Sequence, residues 1–154
     1  MVIYDDDVQP VSVLSGGAYI KPLFSHASLP AVSSHSITPQ GIQEAADAAP
    51  DVVRPDAVNG RVTDLAPNFK VDYHRTSSID YNVVVAGSAT LITPLPGGGE
   101  KRTVVRAGDM VIQRGTLHAW EAGDEGARWY TVVVAALPVK VGDGEGKELC
   151  DVDF

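Results

Sequence analysis

The sequence predicts an all-β protein: a single small antiparallel barrel with extra N-terminal strands and one short helix. Three observations predict it. Short runs rich in Val, Ile and Thr recur along the chain, separated by Gly, Pro, Asn or Asp at roughly eight- to twelve-residue spacing. Within those runs apolar and polar residues alternate, which sends every second side chain to the same face. Only one stretch, Pro39–Ala48, has the composition of a helix.

The elements follow in order within one domain, 1–154, divided into an N-terminal region (1–59), the barrel (60–138) and an acidic tail (139–154). Val11–Leu14 and Ala18–Ile20 are β-like and are split by Gly16 and Gly17, a pair suited to a tight turn. These strands have no obvious partner in the chain, so residues 10–22 are expected to extend a sheet, with that of a second subunit in a homodimer as one candidate. Residues 26–38 are rich in Ser, Ala and Pro and read as loop; nothing pairs the histidines there, His26 and His35, with a further ligand. Thr38 is placed to cap a helix whose first position is Pro39 and whose body holds Gln43, Glu44, Ala45 and Ala46.

Pro50, Pro55 and Gly60 mark a connector, and Gly60–Leu65 reads as the next strand, ended by Pro67. Lys70–His74, Tyr81–Val85, Ala89–Thr93, Thr103–Arg106, Met110–Gln113, Leu117–Glu121 and Trp129–Leu137 supply the remaining strands. Pro94–Glu100 contains Gly97, Gly98 and Gly99, yet no Lys-Ser, Lys-Thr or helix follows, so it is a loop and not a phosphate cradle. From Gly142 the tail is acidic and Gly-rich, and it is either loosely held or laid along a neighbour.

Composition narrows the function classes. A chain of 154 residues has the size of one domain that buries roughly 70% of its unfolded surface. The hydrophobic share is 44% and the aromatic share 6%, as in an aliphatic core. Twelve Lys and Arg against 20 Asp and Glu give a net charge of -8, a surface that repels phosphate backbones and acidic lipid. Nucleic acid and membrane are therefore not expected partners. Cys150 stands alone, so there is no internal disulfide. Neither a secretory signal at Met1–Asp7 nor a membrane-length apolar run is visible, and a cytoplasmic protein is expected.

Two blocks carry the chemistry. Strand alternation puts His74 and Thr76 on one face and, by a second count, Asp80, Asn82 and Val84; His118 and Trp120 share another. Turned inward, these faces make an apolar cavity with a few polar groups, the usual composition of a small-molecule site.

The same blocks resemble the paired motifs of the cupin superfamily. His74 fits the first His of the first motif, Asp80 its Glu and Gly87 its closing Gly, while Thr76 stands where a second His is expected. Gly108, Asp109, Gly115 and His118 fit the second motif, with Gln113 in the position of its Pro. The pattern His-Arg-Thr…Asp-Tyr…Gln-Arg-Gly-Thr…His-Ala-Trp further resembles small single-domain cupins of secondary metabolism. The resemblance implies a jelly-roll barrel. It also implies that His74, Asp80 and His118 are the ligands if a divalent metal is bound.

Two readings of the site stand. In the metal-free one, no cofactor is needed: His118, Asp80 and His74 are catalytic, with Asp80 orienting His118 or holding its charged form. Thr76, Asn82 and Gln113 then offer neutral hydrogen bonds to substrate, and Trp120 offers a flat wall for an aromatic or polyketide-like compound. In the other, the three ligands hold a metal for oxygenase chemistry, against which stands the weak ligand Thr76. A histidine pair with only a packing role, and a cupin that binds a metabolite without turnover, are the remaining accounts. The favoured expectation is a non-redox tailoring enzyme, a lyase or isomerase that dehydrates, decarboxylates, cyclises or isomerises a small carbonyl compound.

Overall fold

The computed structural model describes residues 8–26, 52–141 and 147–152. The helix expected over Pro39–Ala48, and His35, lie outside these residues. The strands are β1 (Val11–Val13), β2 (Ala18–His26), β3 (Val58–Leu65), β4 (Lys70–His74), β5 (Ser78–Pro94), β6 (Glu100–Arg106), β7 (Met110–Arg114), β8 (His118–Ala135), β9 (Lys140–Val141) and β10 (Lys147–Glu148). No helix among the described residues is long and apolar enough to cross a membrane.

β5 and β8 organise the sheet. Each was expected as two short strands, yet they run unbroken for 17 and 18 residues and pair antiparallel along most of their length. The β8 half from Ala127 to Val134 pairs with β3, and the half near His118 pairs with β4. Likewise the first half of β5 pairs with β7 and the second with β6. One pair of long strands thus carries two sheet faces that turn toward each other.

The turn between the faces explains why the expected breaks do not occur. Pairing slips between Val84 and Ala86 and again between Gly87 and Ala89, so bulges absorb the bend while the ladder continues. Gly87 has φ 64° and lies against Gly126, whose φ is 78°. A Cβ on Gly87 would stand 2.1 Å from the Gly126 carbonyl oxygen, so this crossing admits no side chain. Ala18, Leu65, Val84, Ala89, Trp120 and Trp129 are among the residues that form the core between the faces.

Three differences from the sequence expectations concern the ends. β2 continues to His26, and β3 begins at Val58 rather than Gly60, because the two pair along nearly their whole length. β1 and β2 therefore extend this chain's own sheet through β3, and need no second subunit for their hydrogen bonds. Where it is described, the tail is held against this chain. β9 pairs with β10, Arg75 and Val152 exchange backbone hydrogen bonds at 2.9 and 3.0 Å, and the Ser77 hydroxyl donates to Asp151 at 2.7 Å.

Candidate active site

His74 ends β4 and His118 begins β8, and the two residues are register partners. That pairing brings the imidazole centroids within 4.1 Å at an interplanar angle of 57°. Each ring is anchored in the same way. His74 Nδ1 lies 2.9 Å from the Asp72 carbonyl oxygen, and His118 Nδ1 lies 2.7 Å from that of Thr116. A carbonyl only accepts, so Nδ1 carries the proton and donates, which leaves Nε2 as the basic nitrogen of each neutral ring.

Burial sets the charge state of the pair. His118 is 4% exposed, and its pKa is pushed down to about 4, first by burial and second by the neighbouring His74. Burial also lowers His74, with its bond to Asp72 opposing the shift. Both rings are thus neutral near pH 7.

The other side of the cavity comes from β5, β7 and β3. Period-two alternation buries Asp80, Asn82 and Val84 and exposes Tyr81, as expected, and it buries Ser78 as well. Burial raises the Asp80 carboxyl, while a hydrogen bond from Ser78 and the positive charge of Arg61 lower it. Asn82 Nδ2 donates to Gln113 Oε1 at 2.9 Å, and Thr131 donates to Asn82 Oδ1 at 2.7 Å. Asp80 Oδ1 and Gln113 Nε2 are buried with no hydrogen-bond partner.

His74, Asp80, Asn82, Gln113, His118 and Trp120, six of the seven residues singled out in the sequence, line one cavity. Thr76 is not among the lining residues; its hydroxyl sits 2.8 Å from that of Ser78. The Thr116 carbonyl, and not Asp80, holds His118 Nδ1.

Arg61, Thr131 and Trp129 are among the lining residues that the sequence reading did not single out. Arg61, 9% exposed, projects into the cavity from β3, and burial lowers its pKa while Asp80 raises it. An arginine inside an alternating strand was the available signal. Thr131 faces inward from β8. Trp129, whose phase the sequence left open, also faces inward, with its ring 5.3 Å from that of Trp120.

A metal is tested by the donor set. Two imidazoles anchored through Nδ1 suit metal ligation. Among the described residues, however, no group of three His, Cys, Asp or Glu is placed to share an ion. Among the described residues Asp80 does not complete such a group with the two rings.

The comparisons agree with this barrel. No protein-family model matches the chain. Over 132 residues it is 32% identical to oryzines biosynthesis cluster protein J of Aspergillus oryzae, covering 84% of this chain and 72% of that protein. It is 33% identical over 87 residues to the cupin-domain-containing oxidoreductase virC of Hypocrea virens, covering 54% and 43%. The chain is a cupin. It is also 35% identical over 100 residues to phomopsin biosynthesis cluster protein D of Diaporthe leptostromiformis, covering 65% of this cupin and 50% of that protein. The chain thus spans about half the length of several curated relatives it matches.

Solved cupins share the fold. The polyketide cyclase RemF of Streptomyces resistomycificus superposes with TM-score 0.55 at 16% identity, covering 87% of this cupin and 78% of RemF. The Lactobacillus farciminis oxalate decarboxylase gives 0.56 at 15%, covering 88% and 33%.

Proposed function

We propose that this cupin is a tailoring enzyme of secondary metabolism that performs non-redox proton transfer on a small carbonyl or phenolic compound. The observation that carries the proposal is the juxtaposition of two neutral imidazoles, a buried carboxylate and a buried guanidinium in one cavity. The naming of relatives as proteins of biosynthesis clusters supports the tailoring role. His118 and Asp80 are the proton-transfer groups, His74 sets the environment of His118, and Arg61 offsets negative charge that develops on a substrate oxygen.

The chemistry follows from those roles. Removal of a proton beside a carbonyl leaves an enolate, whose oxygen meets the Arg61 charge. Return of the proton at another carbon isomerises the compound. Loss of a β-hydroxyl, which takes that proton and leaves as water, dehydrates it instead. Raising the Asp80 carboxyl from its usual range brings it closer to the pH at which such transfers run.

One observation favours a redox reading: virC and three other relatives are named cupin-domain-containing oxidoreductases. Mass decides between the two. Purified protein is added to an extract of a producing strain that lacks it, and the compound consumed is compared with the compound formed. An unchanged mass, or loss of water or carbon dioxide, supports acid–base chemistry. A change of two hydrogens or one oxygen overturns it in favour of the redox reading. The homodimer belongs to the same proposal, and light scattering of the purified chain tests it separately.

A further inference from the structure

The buried polar groups of the cavity form two hydrogen-bond chains of opposite polarity. In the first, the Thr131 hydroxyl donates to Asn82 Oδ1, and Asn82 Nδ2 donates to Gln113 Oε1. Both ends of the Asn82 amide are thereby used. The Gln113 amide is turned so that its Nε2 donor is left over, buried and without a partner.

In the second chain the direction is set by Asp80. An ionised carboxylate only accepts, so Ser78 donates to it, and Thr76 in turn donates to Ser78 across 2.8 Å. Here the leftover group is an acceptor, Asp80 Oδ1, again buried and unpartnered. Asp80 and Gln113 are register partners of β5 and β7, so their Cβ atoms are about 5 Å apart. Arg61 stands on the same cavity wall, in the row Arg61–Thr131–Asn82 across β3, β8 and β5.

A spare donor next to a spare acceptor, in a cavity that also holds a guanidinium, is the complement of one functional unit. We propose that the cavity recognises a β-hydroxy carbonyl compound, its carbonyl oxygen accepting from Gln113 Nε2 and its hydroxyl donating to Asp80 Oδ1. The proposal rests on the acid–base reading above and gives it a substrate class. Gln113 and Asp80 touch the ligand, whereas Thr131, Asn82, Thr76 and Ser78 are positioning residues that fix which way each terminal group points. Trp120 and Trp129 supply the apolar wall for the rest of the molecule.

Calorimetric binding to the purified chain tests this with three probes. They are the β-hydroxy ketone formed from benzaldehyde and acetone, its methyl ether, and benzylacetone, which lacks the hydroxyl. The first is expected to bind about tenfold or more tighter than either of the others, because each analogue leaves a buried group unpaired. Gln113→Glu, which replaces the donor with an acceptor, is expected to weaken the β-hydroxy ketone about tenfold. Asp80→Asn is expected to restore the methyl ether, since an amide can donate to the ether oxygen. Thr131→Val narrows the preference and Thr131→Ser keeps it, and this pair decides the matter if the Glu variant fails to fold.

Equal affinity for the three probes, no saturable binding at millimolar concentration, tighter binding by Gln113→Glu, or identical preferences in the two Thr131 variants would each overturn the proposal. His118→Gln separates it from the wider reading, because that variant is expected to keep the binding preference while losing turnover. Preference without turnover by the wild type overturns acid–base catalysis alone. Turnover without preference overturns the substrate class alone.

Discussion

His74 and His118 are register partners whose imidazoles stand 4.1 Å apart, each held by a carbonyl two residues before it in the chain. Each carbonyl fixes the tautomer of the ring it holds. The pairing also makes each ring part of the other's electrostatic environment, and this is why His118 resists protonation beyond what burial alone imposes.

The first prediction concerns turnover. His118→Gln keeps a side chain of similar length but removes the basic nitrogen, and kcat is expected to fall about a hundredfold or more with a small change in KM. Asp80→Asn is expected to cost about as much, through loss of the carboxylate and not through misorientation of His118. Wild-type kcat in His118→Gln would remove His118 from the proton-transfer step.

Stability should depend on pH through the same residue. His118 titrates at about 4 in the fold and near 6.5 when unfolded, so between those values the unfolded chain binds more protons. Stability from this group is intact above about pH 6.5 and falls as the pH drops toward 4, by on the order of 3 kcal/mol. Asp80 works in the opposite sense, since its raised pKa means that acid relieves the cost of burying its charge. Urea unfolding at about pH 7 and about pH 4.5 isolates the imidazole, because wild type should lose more stability between them than His118→Gln. Equal losses would contradict a buried neutral His118.

A third imidazole changes the metal question. Thr76 starts the chain that ends at Asp80, and it stands where the wider family pattern has a histidine. Thr76→His is expected to raise cobalt(II) affinity, read from the visible absorption of the bound ion, without raising the native activity. Activity that rises in step with cobalt occupancy would show that the natural site is a weakened metal centre.

The crossing of β5 and β8 predicts a contrast between two glycines. Gly87→Ala forces a side chain onto a positive φ and into the Gly126 carbonyl, and should cost more than about 2 kcal/mol in urea unfolding. A Cβ on Gly60 meets nothing within 4 Å, so Gly60→Ala should be neutral or slightly stabilising. Similar losses at both positions would refute the close crossing.

Alternation alone placed Asp80, Asn82, His118 and Trp120 on inward faces, because one-sided burial makes period two visible in the residues themselves. The spacing of His74, Asp80, Gly87, Gly115 and His118 was likewise enough to point to a cupin. Long-range pairing was beyond its reach. The Gly87–Gly126 crossing exists only once the two strands pair, and so β5 and β8 looked like four strands. Arg61 lay unremarked within the strand read over Gly60–Leu65, and only pairing with β8 sets it beside Thr131, within electrostatic reach of Asp80. The sequence by itself determined the barrel and the face on which most candidate side chains lie, since both follow from local periodicity and turn chemistry. Only the tertiary structure decided that the Thr116 carbonyl, and not Asp80, holds His118, and that a buried donor and a buried acceptor are left over side by side. Those outcomes depend on distances between strands far apart in the chain, which no local pattern encodes.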